Sequence, residues 1–230
     1  MNNVLLGRKQ WLFVFLAGLF ITNAVTAELI SNKLIEIPIE FNFFGGEFGP
    51  FVTIVGILPW PVVFLLTDML NEFYGHNAVR KLSWITAILI AYCFLIVGLS
   101  MEIPAVNIPG SSLSDDNAYN KVFGQAQMVI VGSICAFLVS QLLDASLFSW
   151  IKSKTGDRFI WLRSTGSTLV SQLIDSYIVL YIGFVLPGSL SFADFMTIAP
   201  TNYVLKIIIA ILLTPLIYLG HYLIKRYLNN

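Results

Sequence analysis

The chain is 230 residues long, with 57% hydrophobic residues, only 11% charged residues and a mean hydropathy of +0.81. This composition excludes a soluble globular domain, in which about 25% of residues are charged, and indicates a polytopic membrane protein. The formal net charge is zero at pH 7, so the overall charge does not point to a nucleic acid or another highly charged partner.

Six apolar stretches are long enough to cross a hydrocarbon core of about 30 Å, which takes about 20 helical residues. In chain order these stretches are 11–31, 50–71, 82–101, 124–149, 165–187 and 199–224. We therefore predict an all-α fold, with residues 1–230 forming one transporter-sized domain of six transmembrane helices. The first stretch lacks a small-x-small cleavage site, so we expect it to be retained rather than removed as a signal peptide.

The basic residues orient these six stretches. Ten of the 13 Lys and Arg residues fall before the first stretch, after the second, between the fourth and fifth, or at the C-terminus. Lys33 and Lys121 fall on the other side, and Lys206 lies inside the sixth stretch. By the positive-inside rule, both termini are predicted to be cytoplasmic.

The first stretch ends in polar residues. Glu28 and Asn32 are four residues apart, so they share one face of a helix at its outer end. The connection that follows, residues 32–49, contains Pro, Gly and many aromatic residues. It is predicted to be an external loop, with a short cap along the membrane interface as the alternative.

The second stretch runs into the sequence TDMLNEFYGHNAVRK, from Thr67 to Lys81. Asp68 and Glu72 are four residues apart and share one helical face at the end of an apolar run. Ionisable residues at membrane depth are costly and usually functional, so this cluster is predicted to form a site or a gate. In a gate, Asp68 or Glu72 is expected to pair with Arg80.

The fourth and fifth stretches contain a short repeat, beyond a second external loop at 102–123 that is predicted to be rich in turns. SQLLD ends at Asp144 and SQLID ends at Asp175, with an offset of 31 residues. In each copy the amide (Gln141 or Gln172) and the carboxylate are three residues apart and project from one helical face. The two helices are predicted to be antiparallel neighbours, an arrangement from which transporter sites near the membrane midplane can be built.

The sixth stretch contributes Lys206, the one cation predicted at membrane depth. Against this one cation, four acids are predicted at a similar depth: Glu28, Asp68, Asp144 and Asp175. Lys206 is expected to neutralise one of them, for example Glu28, so the others need protons, amide partners or a cationic ligand. Carboxylates with amide neighbours suit the donor edge of a guanine-like base, but the same set could bind a cation or relay protons.

The motifs together resemble those of the queuosine precursor transporters, also called vitamin-uptake-like transporters. Thr67, Asp68, Asn71, Glu72, Tyr74, Gly75 and Arg80 match the acidic TD-x-x-NE-x-YG-x-x-x-AR block of that family, although Val79 stands where the family often has Ala. The two SQL-x-D strings are similar to its later blocks, and Asn32–Lys33 resembles an early N-K element. The resemblance covers essentially the whole chain.

This resemblance implies uptake of a 7-deazaguanine (preQ0, preQ1 or queuine) across the inner membrane for tRNA modification. It also implies a fold similar to the substrate-binding subunits of vitamin transporters, and no cofactor, metal or catalytic residue. The implied substrate contacts are Glu28, Asn32, Gln141, Asp144, Gln172, Asp175 and Lys206. The implied gate or coupling residues are Asp68, Asn71, Glu72, Tyr74 and Arg80. Membrane lipid and a possible homodimer are the expected partners, with no nucleic acid.

Two other functions compete with direct uptake. The chain could be a membrane substrate-binding subunit for a vitamin-like solute that a separate module energises. Less favoured is an intramembrane aspartyl hydrolase that uses Asp144 and Asp175, because the glycine-flanked sequences typical of such enzymes are missing.

Overall fold

The computed structural model describes residues 7–31, 33–43, 46–106, 115–124, 127–156 and 158–229. Its helices are α1 (Arg8–Leu29), α2 (Trp60–Tyr74), α3 (His76–Met101), α4 (Asp116–Phe123), α5 (Gln127–Thr155), α6 (Ile160–Leu180) and α7 (Phe192–Asn229). Four short strands lie between α1 and α2: β1 (Leu34–Ile37), β2 (Phe41–Phe43), β3 (Gly46–Phe48) and β4 (Phe51–Ile54). A 3₁₀ turn at Val55–Ile57 precedes α2, and a π-helical turn at Tyr181–Val185 ends α6.

Among the described residues, five helical segments are long and apolar enough to cross a membrane: Arg8–Leu29, His76–Met101, Asp116–Thr155, Ile160–Val185 and Phe192–Asn229. Large apolar side chains cover their outer surfaces; Ile88 is 65% exposed and Leu212 is 70% exposed. A soluble protein rarely exposes so much contiguous apolar surface, whereas lipid accommodates it. The protein is therefore a polytopic membrane protein, as predicted.

The predicted second span, 50–71, does not form a helix along its whole length. Its first residues form β4 and the 3₁₀ turn, and α2 is only 15 residues long. Pro59 and Pro61 flank the first residue of α2, where the fixed proline φ favours a helix start. An apolar run alone does not distinguish a buried strand from a helix, which is why the sequence pattern was wrong about this half of the span.

The two connections predicted as loops also contain regular structure. β1 pairs with β4 in antiparallel register from Leu34↔Ile54 to Ile37↔Phe51, and β2 pairs with β3. In the second connection, the side chain of Asp115 accepts a hydrogen bond from the Ala118 N–H at 3.1 Å and caps α4. The sequence analysis predicted loops here, with a short cap as the alternative for the first, and did not predict the strands or α4; both segments connect helices at one end of the bundle.

The two ends of the chain lie at the same end of the bundle. The Tyr74 hydroxyl, at the end of α2, donates to the Lys9 carbonyl at 2.7 Å near the start of α1. The ring of Phe73 lies 5.3 Å from the ring of His221, near the end of α7. Gly75, with φ of +83°, makes the sharp turn from α2 into α3 at this end. We call it the Glu72 end, and we call the opposite end, where α1 finishes, the Glu28 end.

Apolar and polar residues occupy different parts of the interior. Side chains such as Phe20, Leu70, Val79 and Phe137 are at most 1% exposed and pack α1, α2, α3 and α5 together. Between α2, α5 and α6 the interior is instead lined with Ser, Thr, Gln and Asp side chains. This second region contains the first SQL-x-D string and Asp68, with Ser171 of the second string.

Candidate functional site

The two SQL-x-D strings bond to one another across α5 and α6. Ser140 of the first string donates to Asp175 Oδ1 of the second at 3.3 Å, and Ser171 of the second donates to Asp144 Oδ1 of the first at 3.2 Å. This reciprocal pattern requires antiparallel neighbours in matching register, which confirms the predicted arrangement of the repeat. The two aspartates nevertheless lie in different surroundings.

Asp175 lies beside a cavity that opens into the Glu28 end of the bundle. The cavity has a volume of about 610 Å³ and is bounded by the end of α1, β4, the start of α5, the end of α6 and the first half of α7. Its polar lining residues are Glu28, Ser31, Thr53, Ser133, Ser176, Thr197, Thr201, Asn202 and Lys206. Volumes of about 300–1,000 Å³ are typical of small-molecule sites.

A narrower pocket of about 80 Å³ extends from this cavity towards the middle of the bundle. The two share lining residues that include Glu28, Ser133 and Lys206. The inner pocket adds two aromatic side chains, Trp60 and Phe64, and two polar ones, Gln172 and Asp175. We call the combined space the Lys206 cavity; α2 begins only at Trp60, and residues of β4 and the 3₁₀ turn before it line the cavity.

Charged groups of both signs line the Lys206 cavity. Lys206 Nζ donates to Asp175 Oδ2 at 2.6 Å, and the two side chains keep 23% and 18% of their surface exposed. Glu28 is 3% exposed and accepts a hydrogen bond from Ser133 at 2.5 Å. The expectation that Lys206 pairs with an acid is met, but the structure places it on Asp175 rather than on the suggested Glu28.

The first copy of the repeat lies deeper and does not line the Lys206 cavity. Gln141 Nε2 donates to the Thr67 hydroxyl at 2.9 Å, which joins α5 to α2. Asp144 accepts from Thr168 at 3.3 Å in addition to Ser171, and Asp68 accepts from Ser164. We call these residues of α2, α5 and α6 the serine–aspartate layer. It separates the Lys206 cavity from the Glu72 end.

Glu72 is the centre of a polar cluster that joins four helices and contains two ion pairs, to Arg163 and Lys152. Its carboxylate lies 2.8 Å from Arg163 on α6, 2.9 Å from Lys152 on α5 and 3.5 Å from His221 on α7. Arg163 also donates to the Gly156 carbonyl at 2.7 Å and is fully buried. We call these four residues the Glu72 cluster; together they close the bundle at this end.

The remaining predicted residues lie around the Glu72 cluster. Asn71 donates to the Ala145 carbonyl at 2.9 Å and accepts from Ser149 at 3.1 Å, so it also joins α2 to α5. Arg80 is exposed on α3, and Glu72 pairs with Arg163 and Lys152 instead of the expected Arg80. Asn32 lies outside the residues that the structure describes.

Sequence reasoning missed the most buried cation. Arg163 was counted with the loop charges between the fourth and fifth stretches, yet it is the largest fully buried side chain in the described structure. Its position at the start of an apolar helix offered no periodic signal. Ser133 and Asn202 were also missed, because isolated Ser and Asn residues in apolar helices are common packing groups.

The described ranges contain no large cluster of metal-binding side chains. Nowhere in them do three or more His, Cys, Asp or Glu side chains come together in a group that could hold a metal ion. The chemical capacity of the Lys206 cavity is instead that of a hydrogen-bonding site. It offers a primary ammonium, two carboxylates, two amides and several hydroxyls beside aromatic and aliphatic walls.

Comparison with known proteins gives one family match and several similar sequences. A family model described as "Putative vitamin uptake transporter" matches residues 54–220. A "Probable queuosine precursor transporter" of Bacillus subtilis (strain 168) is 32% identical over 166 residues, which cover 71% of this chain and 69% of that protein. The "Queuosine precursor transporter" of Escherichia coli (strain K12) is 25% identical over 218 residues, which cover 91% and 86%. No solved structure matches.

Proposed function

We propose a function from one premise: the chain belongs to the vitamin uptake transporter family, and its homologues include proteins named queuosine precursor transporter. It transports a 7-deazaguanine queuosine precursor (preQ0, preQ1 or queuine) across the inner membrane and releases it unchanged for tRNA modification. Membership of this family supports a transport function, and the choice of substrate is our inference. The observation that carries it is the Lys206 cavity.

The Lys206 cavity offers partners for each edge of a guanine-like base. A guanine-type ring donates two parallel hydrogen bonds, from N1–H and the 2-amino group, and one carboxylate can accept both. Glu28, 3% exposed and already bonded to Ser133, is our candidate for that carboxylate. The ring carbonyl would accept from Lys206 or Gln172, and the rings of Trp60 and Phe64 offer apolar faces to the base.

Asp175 gives the site a second acid for the aminomethyl group of preQ1. Lys206 Nζ pairs with this carboxylate at 2.6 Å. A cationic substituent would compete with Lys206 for Asp175, whereas the neutral nitrile of preQ0 would leave the ion pair intact. The Asp175–Lys206 pair is therefore the element that we expect to discriminate between the two precursors.

The orientation follows from the basic residues, ten of which belong to the Glu72 end. Both termini are then cytoplasmic, the chain crosses the membrane six times with α2 as the short crossing, and the Lys206 cavity faces outwards. Substrate enters from the outside, while the Glu72 cluster, with Asn71 and Tyr74 beside it, forms the closed cytoplasmic gate. Arg80 would then act from the exposed surface of α3 rather than within the gate.

The test is uptake of labelled preQ0, preQ1 and queuine by cells that lack both precursor synthesis and their own transporter. Wild-type chain is expected to restore uptake, and Asp175→Asn is expected to lower preQ1 uptake more than preQ0 uptake. Glu102→Gln serves as the matched control, because Glu102 is an exposed acid at the end of α3. A membrane-inserted wild type that transports none of the three compounds would refute the proposal.

A further inference from the structure

Two buried carboxyl groups lie behind the inner end of the Lys206 cavity. Asp68 of α2 is 2% exposed and Asp144 of α5 is 1% exposed. They are close enough to act on each other electrostatically, and Glu72 and Arg163 are the other charged groups that act on Asp68. The ion pairs formed by the described residues go to Glu72 and Asp175, and none of them includes Asp68 or Asp144.

One oxygen of each carboxyl group lacks a hydrogen-bond partner within the described parts of the chain. These atoms are Asp68 Oδ1 and Asp144 Oδ2, and both are fully buried. The hydrogen bonds to these two acids come from hydroxyl groups: Ser164 donates to Asp68, Thr168 and Ser171 donate to Asp144, and the Ser167 hydroxyl also acts on Asp144. A buried charged oxygen without a partner is strongly unfavourable, so this arrangement favours binding of a positive charge.

The space at Asp68 suits a very small occupant. A void of about 10 Å³ lies against Asp68, Ser164, Thr165 and Thr168. A void of about this size is the smallest that holds one water molecule, and it is too small for any organic substrate. Phe64 lines both this void and the inner end of the Lys206 cavity, so one aromatic side chain separates the two sites.

The balance of buried charge also favours a bound cation. In the described helices, five acids that are buried or half-buried are accompanied by three comparable cations. The acids are Glu28, Asp68, Glu72, Asp144 and Asp175, and the cations are Lys152, Arg163 and Lys206. Two negative charges are thus in excess. A proton or a metal cation bound at the Asp68–Asp144 pair would remove one of these two negative charges at a position where both carboxyl groups are buried.

We propose that Asp68 and Asp144 form a binding site for one small monovalent cation, a proton or Na⁺, that drives transport. The site is distinct from the substrate cavity and is separated from it by Phe64. Occupancy of the pair removes one negative charge from the layer through which substrate has to pass, so cation binding and substrate passage share one barrier. The binding site itself follows from the geometry of the layer, and its coupling role rests on the proposed transport function.

Cation binding is tested first on purified protein without substrate. For a proton, infrared spectra of the wild type are expected to show the carbonyl stretch of a protonated carboxyl group, lost in both Asp68→Asn and Asp144→Asn. For Na⁺, replacing choline chloride by NaCl at equal ionic strength is expected to raise the unfolding temperature of the wild type but of neither variant. Glu102→Gln is expected to behave as wild type in both measurements. Variants that match the wild type in both would overturn the proposal.

A second variant covers the case in which the asparagine variants fail to fold. Thr168→Val keeps the shape of the side chain and both acids but removes one hydroxyl donor to Asp144. It is expected to shift the pH or the Na⁺ concentration at which the site is half occupied. An unchanged midpoint would contradict a cation site at this pair. Neither measurement uses substrate, so its outcome does not depend on the proposed substrate being correct.

Coupling is then measured in proteoliposomes with an imposed pH or Na⁺ gradient. The wild type is expected to accumulate labelled preQ0 or preQ1 with one of the two gradients, and the Asp144→Asn variant to exchange substrate without accumulating it. Accumulation by Asp144→Asn equal to that of the wild type would refute the coupling role. A wild type that moves no 7-deazaguanine would refute the proposed function and leave the cation site to be decided by the substrate-free measurements.

Discussion

The Glu72 cluster gives the sharpest expectation for stability. Arg163 is fully buried, lies 2.8 Å from Glu72, donates to the Gly156 carbonyl at 2.7 Å and has its guanidinium 5.6 Å from the ring of Phe148. Arg163→Met keeps most of the side-chain volume but removes all of these polar contacts. Lys152 remains 2.9 Å from Glu72, so the acid keeps one partner.

Removing one partner of a buried ion pair lowers the free energy of unfolding by about 3–5 kcal/mol. Because Lys152 still pairs with Glu72, we expect a loss of about 3 kcal/mol for Arg163→Met. For a chain of this length, that loss corresponds to a fall of about 6–12 °C in unfolding temperature. The assay is thermal unfolding of purified protein in detergent. Arg158→Met is the matched control, because Arg158 is an exposed arginine in the same connection between α5 and α6.

A double-mutant cycle separates the ion pair from general packing. If Arg163 acts through Glu72, the cost of Glu72→Gln together with Arg163→Met is expected to be smaller than the sum of the two single costs. Contacting residues couple by about 0.5–3 kcal/mol, whereas independent sites add to within about 0.5 kcal/mol. Additive costs, or an Arg163→Met variant as stable as the Arg158→Met control, would refute this reasoning.

Two further expectations concern the packing of α5 against the end of α6 and the charge of the Lys206 cavity. A Cβ added to Gly132 on α5 would lie 2.9 Å from the Gly183 backbone nitrogen, so Gly132→Ala is expected to lower stability by about 1–3 kcal/mol in detergent unfolding. Gly98→Ala, which meets nothing within 4 Å, is the control, and equal stability of the two variants would contradict the close helix approach. Lys206→Met is expected to shift competitive uptake towards preQ1 and away from preQ0, because Asp175 loses its 2.6 Å partner and can accept the aminomethyl cation without competition. Unchanged discrimination would show that the ion pair does not face the substrate.

Composition and periodicity were enough to predict most of the bundle. Long apolar runs identify spans because a helix in lipid satisfies its own backbone groups. The repeated SQL-x-D string even indicated which two helices are antiparallel neighbours, and the Ser140–Asp175 and Ser171–Asp144 hydrogen bonds confirm it. The first half of the second span could not be predicted in this way, because β4 and α2 share one uninterrupted apolar run.

The sequence did not predict which polar residues line the Lys206 cavity and which belong to the serine–aspartate layer. The two copies of the repeat are nearly identical, yet Asp175 faces the Lys206 cavity and Asp144 lies in the serine–aspartate layer. That difference comes from what α7 and α2 place beside each copy: Lys206 on one side and Asp68 on the other. Spacing within one helix cannot reveal a neighbour on another. Arg163 was missed for the same reason, because its partner Glu72 lies on another helix.

The central claim is that the Lys206 cavity binds the transported precursor, and equilibrium binding of labelled preQ0 and preQ1 to purified protein tests it most directly. Val179 lines the cavity from α6, so Val179→Trp would fill it. Val170→Trp places the same bulk on the outer surface of that helix, where Val170 is 46% exposed. We expect saturable binding by the wild type and by Val170→Trp and none by Val179→Trp. Equal binding by the two tryptophan variants would contradict the claim.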